Sequence, residues 1–122
     1  MAKANPTPAL QNIRLSIRLD LPDGSRFGPG KAALLSALSD NGSIASAARA
    51  LNMSYPKALR LVDEMNGQFS APLVETYQGG TKRGGANVTE HGAQIVQLYA
   101  TLTSAAGTAN ATTLKTLKTL CK

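Results

Sequence analysis

The feature that most constrains the fold is a pair of serines, Ser43 and Ser54, each standing just before a stretch with helical apolar spacing. A serine oxygen accepts from N–H groups that a first helical turn leaves unpaired, so both positions predict helix starts. Between them, Ile44, Ala47, Ala48 and Leu51 recur at helical spacing and predict a helix over 44 to about 51 with one inward face. Alanines on that face let a crossing helix approach closely. Asn52 and Met53 leave a short connector, and Pro56 is tolerated in the next first turn, where its missing N–H has no partner to lose. The buried stripe of this next helix is expected to be Leu59 and Val62 with Ala58, Leu61 and Met65, leaving Lys57, Arg60 and Glu64 largely outside, and Asn66 and Gly67 end it. A preceding helix over 29 to about 39 opens on Pro29, buries Leu34, Leu35 and Leu38, and stops at Asp40, Asn41 and Gly42. Two capped helices with a short connector and a small crossing face are what a helix-turn-helix requires, and residues 28–66 supply them.

The flanks have strand character. Ile13, Leu15, Ile17, Leu19 and Leu21 alternate with Arg14, Ser16, Arg18 and Asp20, which predicts a half-buried strand over 13–21. Pro22, Asp23 and Gly24 make a turn, and residues 25–27 can pair back. Beyond Pro72, residues 73–77 read as a short strand and 87–89 as its partner, joined by QGGTKRGGA, whose four glycines in nine residues exclude a helix. Thr89 can cap a long helix with Ile95, Val96, Leu98, Tyr99 and Leu102 as its apolar positions. Residues 1–12 read as a flexible arm. Residues 107–122 lose the pattern, and Leu114, Leu117 and Leu120 suit either a frayed helix or no structure. The expected fold class is α+β: a winged helix-turn-helix over 13–106 with an N-terminal β-hairpin and a long C-terminal helix. A chain of 122 residues is long enough for one such core.

Charge and residue types narrow the function. Thirteen Lys and Arg against seven Asp and Glu give a net charge of +6, which suits a polyanion or an anionic membrane surface as well as plain solubility. No run approaches the roughly 20 apolar residues needed to span a bilayer. With no Trp, two Phe and three Tyr, a stacking platform for single-stranded bases is poorly supported. Cys121 is the one cysteine, so neither an intrachain disulfide nor a thiolate metal site can form, and a reducing, cytoplasmic setting is expected. Catalysis has little to use: His91 is the sole histidine, and the adjacent Asp63 and Glu64 point in different directions on a helix. No enzyme activity, cofactor or metal is expected. The phosphate-loop pattern GxxxxGK[ST] is absent, as is a GxGxxG following a strand.

In a helix-turn-helix the second helix enters the major groove with its N-terminal residues at the base edges. The base-reading candidates are therefore Ser54, Tyr55, Lys57, Ala58 and Arg60, with Arg60 suited by chemistry to a guanine. Ser43 and Ser46 are candidates for phosphate contact. So are Thr81, Lys82 and Arg83, a basic loop tip between glycines that suits a wing along the backbone or minor groove. The same residues admit plainer roles. Tyr55 can pack against the hairpin, Lys57 and Arg60 can be solvated charges, and the glycine-rich loop can be an ordinary connection.

The stretch FGPGKAALLSALSDNGSIASAARALNMSYPKALRLVDEMN, followed by PLVETYQGGTKRGGANVTEHG, resembles the N-terminal winged-helix domain of the ModE-type, molybdate-responsive transcription regulators. That domain is itself similar to the LysR-type DNA-binding head. The resemblance covers roughly residues 13–104. It implies a sequence-specific regulator of double-stranded DNA, with Gly79, Gly80, Lys82 and Arg83 in the wing and Thr89 and Gly92 opening the long helix. It also implies a homodimer paired through that helix, with Ile95, Leu98, Tyr99 and Leu102 as interface candidates, although a stripe packing back on the first helix has the same spacing. The alternatives are a winged-helix protein-interaction module and a non-specific nucleoid-associated protein. Only about 18 residues follow the winged helix, so the family's carboxy-terminal oxyanion-binding domains are not expected in this chain, and molybdate sensing is not implied. A small-molecule effector is left open.

Overall fold

A computed structural model describes residues 12–77 and 84–122. Two short strands, β1 (Leu19–Asp20) and β2 (Arg26–Phe27), form an antiparallel ribbon with Leu19 opposite Phe27. Gly24 turns it with a φ of +87°, a region open to glycine. Three helices follow: α1 (Pro29–Asn41), α2 (Ile44–Ala50) and α3 (Tyr55–Gln68). A second antiparallel pair, β3 (Val74–Tyr77) and β4 (Gly85–Val88), leads into the long α4 (Glu90–Ala109) and a final α5 (Ala111–Thr119). This is the expected winged helix-turn-helix: a helix pair with a tight turn, a β-hairpin after it and a long closing helix.

The local causes are those the residues suggest. Ser43 Oγ accepts from Ser46 N at 3.0 Å, and Ser54 Oγ accepts from Lys57 N at 3.2 Å. Gly42 ends α1 in the left-handed region at φ +74° and donates its N–H to Leu38 O. Asn52, also left-handed at φ +57°, reverses the chain between α2 and α3, and Met53 N donates back to Ala48 O at 2.8 Å.

α1 runs through the middle of the molecule, touching α2, α3, α4 and β4. Its Leu34, Leu35 and Leu38 are buried with Ala47 and Ala48 of α2, Ala58, Val62 and Met65 of α3, and Leu73. Phe27 closes the core from the ribbon side. Its ring meets Phe69 edge-on at 5.7 Å and Tyr99 of α4 at 5.5 Å.

Four expectations need correction. The alternation over 13–21 survives as alternating burial, but only Leu19 and Asp20 pair in a ladder, because β2 offers just two partners. The long helix does not stop near 106. It runs through Gly107 to Ala109, and after Asn110 the chain is helical again to Thr119. Lys118 Nζ donates to Asn12 Oδ1 at 3.3 Å, tying this last helix to the start of the described chain. On α3 the buried stripe is Ala58, Val62 and Met65, whereas Leu59 is 37% exposed. On α4, Ile95 and Tyr99 pack into the chain's own core, while Leu98 and Leu102 stay exposed at 56% and 41%.

Candidate nucleic-acid interface

α3 is presented by its neighbours rather than by its own sequence alone. Its small Ala58 is fully buried, whereas Tyr55, Pro56, Lys57, Leu59 and Arg60 are exposed. Ala58 is thus removed from the base-reading set: a methyl with no accessible surface cannot reach a base edge. Ser54 remains exposed at the helix start, with its oxygen engaged by Lys57 N. Tyr55 is half exposed and lines a groove with Thr76 and Tyr77 of β3.

Arg60 is an exposed cation with a loose tether. Its Nη1 lies 3.7 Å from Glu64 Oε2, one turn along the helix. Glu64 is held more firmly by Lys31, whose Nζ is 3.2 Å from Oε1 and whose side chain is only 11% exposed. Lys31 also donates to Arg26 O at 2.7 Å. An exposed pair such as Arg60–Glu64 contributes about 0–1 kcal/mol, less than the roughly 1–3 kcal/mol of a bidentate guanine contact. The guanidinium can therefore leave Glu64 for a base at little cost. The same bridge answers the Glu64 charge, so that carboxylate does not stand as an uncompensated anion on the outer face.

At the start of α2, Ser43 and Ser46 are half-buried and linked: Ser46 N donates to Ser43 Oγ, and Arg49 Nη2 donates to Ser46 Oγ at 3.2 Å. Both hydroxyls thus accept within the protein, and Arg49 adds an exposed cation that the sequence reading did not single out. A groove of about 450 Å³ separates this helix start from α3 and β3, lined by Ser43, Ala45, Tyr55, Leu59, Thr76 and Tyr77 among others.

The hairpin is anchored at its root. Asn66 Oδ1 accepts from Leu73 N at 2.8 Å and Val74 N at 3.0 Å, and its Nδ2 donates to Val74 O at 2.9 Å. Ala86 N donates to Gly42 O at 2.9 Å, fastening β4 to the turn between α1 and α2. Thr89 Oγ1 accepts from Gly92 N and donates to Pro72 O. Gly92 is pressed so closely on the residue before β3 that a Cβ there would lie 2.3 Å from Leu73 O. α3, the turn between α1 and α2, and the β3–β4 pair are in this way tied to one another. Thr81, Lys82 and Arg83, with Gly79 and Gly80, lie outside the described residues.

His91 is half-buried with Nε2 3.4 Å from Ser70 Oγ. Among the described residues no three His, Cys, Asp or Glu side chains are grouped to hold a metal, and no helix is long and apolar enough to cross a membrane.

Residues 31–93 match the family described as bacterial regulatory helix-turn-helix protein, lysR family. The molybdenum-pterin-binding protein MopB of Rhodobacter capsulatus is 40% identical over 76 residues, which are 62% of this chain and 28% of that protein. The molybdenum transport protein ModE of Azotobacter vinelandii is 36% identical over 84 residues, 69% of this chain and 31% of that protein. The chain thus spans about a third of the length of the curated relatives it matches. Among solved structures, MepR, a transcription regulator of the Staphylococcus aureus multidrug efflux pump MepA, superposes with a TM-score of 0.59 at 16% identity, covering 72% of this chain and 66% of that one. A MepR–DNA complex gives 0.51 at 18% identity, covering 75% of this chain and 78% of that one. At such identities the likeness is one of fold.

Proposed function

Because the chain belongs to the bacterial regulatory helix-turn-helix proteins of the lysR family, we propose that it is a sequence-specific, double-stranded-DNA-binding transcription regulator acting in the cytoplasm and not an enzyme. The observation that carries this reading is the outward face of α3. Its first two turns expose Tyr55, Lys57 and Arg60 while Ala58 between them is buried. In this reading α3 enters the major groove, Arg60 leaves Glu64 for a guanine, and Ser54 and the start of α2 lie against phosphates. Lys82 and Arg83 in the wing add sequence-independent contacts along the backbone or minor groove. The protein of the solved MepR–DNA complex shares this fold.

We place the dimer seam on Leu98 and Leu102, two exposed leucines one turn apart on α4. A twofold pair built there would present two copies of α3 to a near-palindromic site.

The test is selection of bound sites from a random duplex pool, followed by binding measured against salt. A strongly preferred site, with half-site centres about one helical turn apart and affinity falling steeply with salt, is the expected result. Absence of any duplex preference at low salt would overturn the proposal. Weak, sequence-indifferent binding would instead favour a nucleoid-coating role.

A further inference from the structure

The outward flank of α3 carries an apolar pair that phosphate binding does not explain. Leu59 is 37% exposed and Tyr55 50% exposed, one turn apart on the side of α3 that faces the start of α2 and β3. Together they line the groove shared with Ser43, Ala45, Thr76 and Tyr77. On the other side of the same two turns stand Lys57 and Arg60. The face is thus divided lengthwise into an apolar strip and a cationic strip.

Each strip has a partner in the major groove. Guanine offers O6 and N7 acceptors to a cation, and the C5-methyl of thymine is the apolar group that the natural base pairs present there. Leucine has no donor or acceptor, so against a base edge it can be satisfied by a methyl and by nothing polar. Against a phosphate it would desolvate the anion without answering it.

We infer that Leu59, flanked by the Tyr55 ring, reads the C5-methyl of a thymine in each half-site, beside the base engaged by Arg60. Leu59 is then a specificity-determining residue that acts by apolar contact. This rests on the proposed binding of duplex DNA by α3.

The experiment uses the full chain and the duplex recovered by site selection, with each thymine replaced singly by deoxyuridine, so that one methyl is removed and every hydrogen bond kept. Burial of one methyl-sized group corresponds to roughly fourfold in affinity. One thymine position per half-site is therefore expected to weaken binding about fourfold when demethylated, and the others to be silent. Leu59→Ala is expected to bind the two duplexes alike at that position, with its guanine preference and salt slope unchanged. Leu59→Met, which keeps an apolar side chain, should retain the discrimination. Leu59 lies at the surface, and matching thermal melts confirm that the variants fold. Indifference of the native protein to every thymine-to-uridine change, on a duplex it otherwise prefers, overturns this inference alone. So does undiminished discrimination by Leu59→Ala. Failure to select any duplex overturns the functional reading, and this inference with it.

Discussion

Replacing Asn66 with alanine tests whether the hairpin is held to α3 by one side chain. The amide makes three hydrogen bonds to the backbone of Leu73 and Val74, at 2.8, 3.0 and 2.9 Å, all partly buried. Each such bond contributes about 0.5–1.5 kcal/mol net, and a buried donor left without a partner costs more. Water can reach part of the vacated site, which limits the loss. The expected destabilisation of Asn66→Ala is therefore about 2–4 kcal/mol. For a chain of this size that lowers the melting temperature by roughly 6–20 °C. Asn66→Asp separates the contributions. Its carboxylate still accepts from Leu73 N and Val74 N but has no donor for the Val74 carbonyl, so it should fall between alanine and the native residue. Urea unfolding followed by circular dichroism gives both differences. An alanine variant within about 0.5 kcal/mol of the native protein, the range of ordinary surface substitutions, would refute the anchoring role. An aspartate variant less stable than alanine would refute the assignment of which bonds matter.

Four further outcomes are expected. Gly92→Ala should destabilise by about 1–3 kcal/mol despite the better helix propensity of alanine, because its Cβ would lie 2.3 Å from Leu73 O and 2.8 Å from a Val88 methyl. Gly107→Ala, in the same helix with nothing within 4 Å, should be neutral or stabilising, and equal effects in thermal melts would show the close approach to be unimportant. Burial raises the Tyr99 pKa above its ordinary value, and the phenol donates to Ile17 O. Its protonated form therefore favours the fold below about pH 10, and that contribution is lost as pH rises further. Tyr99→Phe should be less stable at neutral pH and show a weaker alkaline decline, and parallel stability curves would contradict this. Introducing glutamate at both Leu98 and Leu102 should yield a folded monomer by sedimentation, and an unchanged association state would move the seam elsewhere. Finally, Arg60→Ala should relax base preference in site selection, while Lys82→Ala or Arg83→Ala should weaken all duplexes more nearly alike. The reverse pattern would exchange the reading and anchoring elements.

What could be read in the sequence was what is decided locally. A serine cap needs only its own first turn, and Gly42 needs only to follow the last helical residue, so the ends of α1, α2 and α3 were legible within a few residues. The alternation over 13–21 was equally plain as burial, yet a ladder requires a partner of matching length, and β2 is two residues long. Asn66 reads as a helix end but lies inside α3, which runs on to Gln68, and its three bonds reach seven or eight residues ahead, a separation that no local pattern reports.

The helical spacing of α3 assigns Ala58 and Leu59 alike to the buried stripe, yet the stripe closes on Ala58, Val62 and Met65, and Leu59 lies at its edge, 37% exposed. Leu59 and Tyr55, one turn apart, leave apolar surface open on the flank of α3 toward the start of α2 and β3. A local folding rule that yields at the surface is where function is expected to intrude on folding. The helix-turn-helix pattern points to the helix proposed to read DNA, and it is this open apolar surface, not the pattern, that directs the inference to Leu59.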